Sequence, residues 1–130
     1  MAQNKKRVLL VEDDSAIVDV YTTILQKGGF NVQTVTEGKE AIKIIKNIQD
    51  ADEGRPDIVL LDLILPDING VEVLREIKTN DKTKDILVFV LTNQEGVELQ
   101  GSNGVKPDRL IIKANITPTQ LLEIVKNKLN

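Results

Sequence analysis

The chain has 130 residues, with 17 Lys and Arg against 20 Asp and Glu, and it contains neither His nor Cys. A chain this long suits one domain that buries about two-thirds of its unfolded surface without disulfides or structural zinc. Without His and Cys it cannot be a Ser-His-Asp or Cys-His hydrolase, a zinc hydrolase or a phosphohistidine carrier, and a net charge of −3 with Tyr21, Phe30 and Phe89 as its only aromatics argues against a nucleic-acid-binding surface.

Residues 1–6 form a polar, basic tail with no apolar signal region behind it. No apolar run approaches the ~20 residues of a membrane span, and the absence of Cys fits the cytoplasm. Val8, Leu9, Leu10 and Val11 make a short continuous apolar run, followed at once by Glu12, Asp13, Asp14 and Ser15. Ile17, Tyr21, Ile24 and Leu25 recur at helical spacing, with Asp14 or Ser15 as N-cap and Gly28-Gly29 as the stop. Residues 30–35 alternate like a strand. Thr36 stands where it can cap a second helix, whose stripe is Ala41, Ile42, Ile45 and Ile48. Residues 50–56 read as an acidic loop containing Gly54 and Pro56.

A second buried run, Ile58 with Val59, Leu60 and Leu61, ends at Asp62. Pro66, Asp67, Asn69 and Gly70 mark a loop, and Val71, Leu74 and Ile77 predict a third helix. Residues 86–91 are the most continuous apolar run and end at Thr92. Residues 93–107 carry Gly96, Gly101 and Gly104. Each Gly costs a helix interior about 1 kcal/mol, so a helix there is short or frayed. Leu110, Ile111 and Ile112 form a short run ending at Lys113. Thr117, Pro118 and Gln120 read as a capping box with Pro at the first helical position. Leu121, Leu122, Val125 and Leu129 supply the last amphipathic stripe.

Short apolar strands with few polar interruptions are buried on both faces, which predicts an α/β fold: a doubly wound, five-stranded parallel sheet with helices on each side. Ligands of such sheets bind beyond the carboxyl ends of the strands. Four strands end there in a polar group: Glu12 and Asp13, Asp62, Thr92, and Lys113. Each residue has a bland reading alone, a cap or solvated acid for Glu12 or Asp13, a strand-end hydroxyl for Thr92, a surface amine for Lys113. Asp62 resists it, because no helix begins until about Gly70 and an acid closing a buried strand is costly without partners. Three carboxylates and one Lys sum to −2, so the cluster calls for a divalent cation. Hard oxygen ligands favour Mg²⁺, with Mn²⁺ also suitable. Asp62 can then attack a phosphoryl group as nucleophile, with metal, Lys113 and Thr92 on the phosphoryl oxygens.

At these motifs the chain resembles the receiver domain of two-component response regulators: VLLVEDD at 8–14, LLDLILPDING at 60–70, VLT at 90–92 and IIK at 111–113. The resemblance runs from Arg7 to Leu129. Its centre is Asp62 with Pro66 four residues on and Gly70 eight residues on. It implies a flavodoxin-like sheet of order 2-1-3-4-5 and a single receiver domain over 1–130. It implies Asp62 as phosphoacceptor, with Thr92 and Lys113 on the phosphoryl oxygens. Asp13, Asp62 and the backbone carbonyl of Ile64 become metal ligands, and Glu12 holds the ion through water. The phosphate then comes from a sensor histidine kinase, a histidine phosphotransfer protein or a small phosphodonor. A downstream protein would bind the 93–129 face; a homodimer is compatible with the sequence, which does not fix the oligomeric state. Neither nucleic acid nor membrane is expected as a partner.

The chain departs from the family where signals leave the domain. Leu110 stands where an aromatic switch residue is usual, Asn93 follows the Thr, and Ala114 replaces the Pro after the Lys. An aromatic flip is therefore not expected, and any switch should run through Thr92, Asn93 and residues 96–104. A Lys113–Ala114 bond should be trans, since a cis bond before a non-proline residue costs ~2.5–4 kcal/mol. The stretch ends one residue after the last apolar position of the final helix, so no output domain is expected within it. Two alternatives stand beside this reading. One is a phosphorylation-independent pseudo-receiver serving only as an interaction module. The other is an aspartyl-nucleophile phosphatase, disfavoured because Ile64 occupies the position of its second acid.

Overall fold

The computed structural model describes residues 5–48, 54–93 and 104–129. Five parallel strands form one sheet: β1 (Arg7–Val11), β2 (Asn31–Val35), β3 (Ile58–Asp62), β4 (Leu87–Thr92) and β5 (Arg109–Ile112). Their order is β2-β1-β3-β4-β5, as expected. Helices α1 (Ser15–Lys27), α2 (Gly38–Lys46), α3 (Gly70–Thr79) and α4 (Pro118–Leu129) connect and flank them.

Strand alternation sorts the core into two layers. Leu9, Val11, Val59, Leu61, Val88 and Val90 pack with Ala41 and Ile45 of α2 and with Val71, Leu74 and Ile77 of α3. The intervening residues Val8, Leu10, Leu60, Phe89, Leu91 and Ile111 pack with Tyr21 and Leu25 of α1 and Leu121 and Val125 of α4. Every residue of β3 is buried, which is why its sequence reads as an unbroken apolar run. Edge strand β2 has only Val35 buried, and its alternation is correspondingly weak. β2 begins one residue after Phe30, and β4 begins after Ile86, whose N–H closes a turn onto the Thr83 carbonyl.

The helix starts show the local logic. Asp14 is the N-cap of α1 and accepts from the N–H groups of Ala16 and Ile17. The capping box of α4 closes both ways: Thr117 N–H donates to Gln120 Oε1 at 2.8 Å, and Gln120 N–H donates to Thr117 Oγ1 at 3.1 Å. Thr36 does not cap α2. The N-cap is Glu37, whose side chain makes no cap bond. The carboxylate of Asp67, from the β3–α3 loop, takes that place through Gly38 N–H and Lys39 N–H, both at 2.8 Å. All described peptide bonds are trans, Lys113–Ala114 among them, and Lys113–Asn115 forms one turn of 3₁₀-helix. The expected short helix within 93–107 falls mostly on residues outside those described, as does the glycine-punctuated stretch assigned to switching.

Candidate functional site

The strand ends bring the polar groups together. β1 and β3 pair in register from Val8–Ile58 to Val11–Leu61, which carries Glu12 and Asp62 to the same sheet edge. β3 pairs with β4 as far as Asp62–Leu91, and β4 with β5 as far as Thr92–Ile112, so Thr92 and Lys113 follow at that edge. Glu12, Asp62 and Thr92 are buried, whereas Asp13 is exposed.

Lys113 joins the acids. Its Nζ lies 2.7 Å from Glu12 Oε1 and 3.1 Å from Asp62 Oδ2. Its long stem reaches them from the 3₁₀ turn, so a trans bond after it is compatible with the contact. Backbone groups fix the carboxylates further: Asp14 N–H donates to Glu12 Oε2 at 3.2 Å, and Ile64 N–H donates to Asp62 Oδ1 at 3.0 Å. Burial pushes the Glu12 carboxyl up, against the hydrogen bond from Lys113, and the nearby Asp62 charge adds to the rise. Burial pulls the Lys113 ammonium down, but the bond to Glu12 and the charge of Asp62 outweigh it and hold the group above its ordinary value.

Glu12, Asp13 and Asp62 each offer a carboxylate oxygen, all within 4.8 Å of one another. Three acids share this space with one ammonium, so negative charge is left in excess. Clustered hard oxygens of this kind fit a divalent cation such as Mg²⁺ or Mn²⁺. The structure thus gathers Glu12, Asp13, Asp62 and Lys113, with Thr92 at the adjoining strand end. Ile64 stands beside them, 68% exposed to solvent.

Two features are absent from the residues singled out in the sequence. Tyr21, read there as part of a helical stripe, is buried, and its hydroxyl feels the charges of Lys113, Glu12 and Asp62; burial raises its pKa. Asp67, read as a loop former, holds α2. Its place in the LPDING loop was visible, but its partner lies 28–29 residues away and carries no sequence signal.

The loop geometry explains the glycine eight residues after Asp62. A Cβ at Gly70 would lie 2.4 Å from the Asp62 carbonyl oxygen and 2.6 Å from Leu63 Cα. The α3 N-terminus returns this closely because Gly70 N–H donates to the Leu63 carbonyl at 2.7 Å, beside the antiparallel bridge between Ile64 and Asn69.

A parallel sheet of this order, with acids, hydroxyl and ammonium at one carboxyl edge, defines a flavodoxin-like α/β module with its polar groups at the strand ends. Residues 8–126 match the response regulator receiver domain, and the chain belongs to that family of two-component signalling modules. The DNA-binding response regulator MtrA of Mycolicibacterium paratuberculosis is 29% identical over 125 residues, covering 96% of this chain and 52% of MtrA. The chain therefore spans about half the length of that relative. Among solved structures, the phosphorylated cyanobacterial phytochrome response regulator RcpA is similar at 34% identity with a TM-score of 0.77, over 95% of this chain and 91% of that one. The Mn²⁺-bound form of response regulator Rcp1 is similar at 29% identity and a TM-score of 0.74, over 94% and 90% of the two chains. No described helix is long and apolar enough to cross a membrane.

Proposed function

We propose that this chain is a phosphorylatable receiver in which Asp62 accepts a phosphoryl group from a phosphohistidine donor. The observation that carries the reading is the Lys113 ammonium set between Glu12 and Asp62, 2.7 and 3.1 Å from their oxygens, beside the carboxylate of Asp13. An Asp62 oxygen attacks phosphorus, and the new O–P bond forms as the P–N bond to the donor imidazole breaks. The electron pair leaves on that imidazole nitrogen, which takes up a proton.

Lys113 neutralises charge on the phosphoryl oxygens, moving from its contact with Asp62 to one of them. Thr92 donates its hydroxyl to another. The Ile64 N–H keeps the Asp62 carboxylate oriented. Asp13, Asp62 and the Ile64 carbonyl would hold Mg²⁺ or Mn²⁺, with Glu12 acting through water. The cation supplies neutralisation of the transferring group when bound. RcpA in its phosphorylated form and Rcp1 with Mn²⁺ are the relatives that support this assignment.

In this reading the domain catalyses only its own phosphorylation and dephosphorylation. It works in the cytoplasm with a sensor histidine kinase or histidine phosphotransfer protein, and it signals to a downstream protein through the 93–129 face. DNA binding belongs to MtrA and is not assigned to this domain.

Incubation with acetyl phosphate and Mg²⁺ followed by intact-mass measurement tests the reading. One phosphoryl adduct is expected. No adduct would leave a phosphorylation-independent interaction module, and hydrolysis of the donor without an adduct would point to a phosphatase.

A further inference from the structure

We propose that Asp67 is a positioning residue for phosphoryl transfer: it ties the loop that follows Asp62 to the N-terminus of α2, and the tied loop orients the Asp62 carboxylate through the Ile64 N–H. The proposal rests on the receiver reading above and adds a residue to it.

The loop has two anchors. At its base, Gly70 N–H bonds the Leu63 carbonyl at 2.7 Å, and Ile64 bridges Asn69. At its tip, Asp67 Oδ1 accepts from Gly38 N–H at 2.8 Å and from Ile68 N–H at 3.0 Å, while Oδ2 accepts from Lys39 N–H at 2.8 Å. The tip also packs on α2: the position a Gly38 Cβ would take lies 2.4 Å from Ile68 Cγ1 and 3.1 Å from Leu65 Cδ1. A Cβ there would force the Ile68 side chain to shift. Ile64 belongs to the base, three residues before the Asp67 tip, and its N–H holds Asp62 Oδ1 at 3.0 Å.

The tie is specific in direction. α2 has no cap of its own, because the Glu37 side chain makes no cap bond. A carboxylate at a helix N-terminus completes orphan N–H groups and meets the positive end of the helix dipole. Here the carboxylate comes from the loop carrying the phosphoacceptor, so the same two bonds that complete α2 also fix that loop. A loop free at its tip would let Ile64, and with it the Asp62 oxygen, wander from the attacking geometry. Displacements of about 1 Å are enough to slow a positioned reaction by up to about 10²-fold.

A purely structural cap makes a different prediction, and replacing Glu37 with serine separates the two. Ser at an N-cap accepts from the helix's own N–H groups. It can therefore complete α2 without reconnecting the loop. The comparison uses the whole chain as wild type, Asp67→Ala and Asp67→Ala/Glu37→Ser, at a temperature where circular dichroism shows each folded. Amide exchange at Ile64 is read in metal-free protein, and the initial rate of phosphorylation by acetyl phosphate is read at saturating Mg²⁺.

Asp67→Ala should speed Ile64 exchange and slow phosphorylation, each by about tenfold. The double variant should keep both defects while the first-turn amides of α2 regain protection. Asp67→Asn, which retains one acceptor but turns an NH₂ toward Lys39, should fall between, and it replaces the alanine variant if that one does not fold. Three results overturn the proposal. The first is exchange and rate within about twofold of wild type in Asp67→Ala. The second is recovery of both when Glu37→Ser is added in the double variant. The third is a rate that falls only with the unfolded fraction. A wild-type chain that takes no phosphate would overturn the receiver reading instead, and Ile64 exchange would still decide whether Asp67 holds the loop.

Discussion

Lys113 is the residue on which the site's electrostatics turn. Its ammonium contacts two buried carboxylates at 2.7 and 3.1 Å. Removing it leaves Glu12 and Asp62 facing one another across a low-dielectric site. Lys113→Ala is expected to lower the initial rate of phosphorylation by about 10²-fold, the cost typical of losing one donor to a developing oxyanion. A rate within a few-fold of wild type at saturating Mg²⁺ would show that Lys113 only packs. Asp62→Asn acts differently. It removes one negative charge from the crowd while keeping shape, so the metal-free melting temperature should hold or rise while the phosphate adduct disappears. A lower melting temperature would mean that the charge itself stabilises the fold.

At the scale of elements, the β3–α3 connection and the start of β5 are each held by specific close contacts. Gly70→Ala would set a methyl group 2.4 Å from the Asp62 carbonyl oxygen. The backbone cannot yield freely there, so a loss of about 1–3 kcal/mol is expected. Chemical denaturation measures it, and an unchanged midpoint would place the helix start farther from β3. Lys78 of α3 ties down the start of β5: its Nζ meets Asp108 Oδ2 at 2.7 Å and the Ile86 carbonyl at 2.9 Å, and the same Asp108 oxygen accepts from Val88 N–H at 2.8 Å. Partial burial raises the Asp108 carboxyl, but the Lys78 and Val88 bonds outweigh it and hold the group below its ordinary 3.8. Because its folded pKa is depressed, this acid contributes stability above pH ~4 and loses it as pH falls through the folded value. The stability gap between wild type and Lys78→Met should therefore be widest above pH ~4 and narrow on acidification. A pH-independent gap, read by denaturation from about pH 2.5 to about pH 7, would assign it to packing alone.

Elements differ in how openly the sequence declares them. The central strands were legible because burial on both faces forces unbroken apolar runs, as in β3. Caps made within a few residues were legible too: Asp14 on α1 and the Thr117–Gln120 box on α4. The cap of α2 was not. Thr36 matched the local rule, yet Asp67 takes the position from 28–29 residues away, a tertiary contact that local pattern does not encode. β5 starts at Arg109 rather than Leu110, since an edge strand can pair through an exposed polar residue.

For the molecule as a whole, the strand order was read through the family resemblance, and the candidate site follows from it: parallel strands set every carboxyl end on one edge. The residues that gather there were legible because each closes an apolar run. Tyr21 was not, since a helical stripe hides which member points at the site. A cation held by the proposed site would link folding to metal binding. A cation that binds only the folded site stabilises it by about 2.7 kcal/mol at a hundredfold excess over its dissociation constant. Millimolar Mg²⁺ is expected to raise the melting temperature of the wild type and leave Asp13→Ala unmoved. Equal shifts in both would indicate binding elsewhere.

The central claim is that one carboxylate, Asp62, receives the phosphoryl group. Peptide mapping of the chain after reaction with acetyl phosphate and Mg²⁺, with Asp62→Asn run in parallel, tests it most directly. The expected result is a single modified peptide containing Asp62 in the wild type and none in the variant. A phosphate on any other residue, or an equally modified Asp62→Asn chain, would contradict the account.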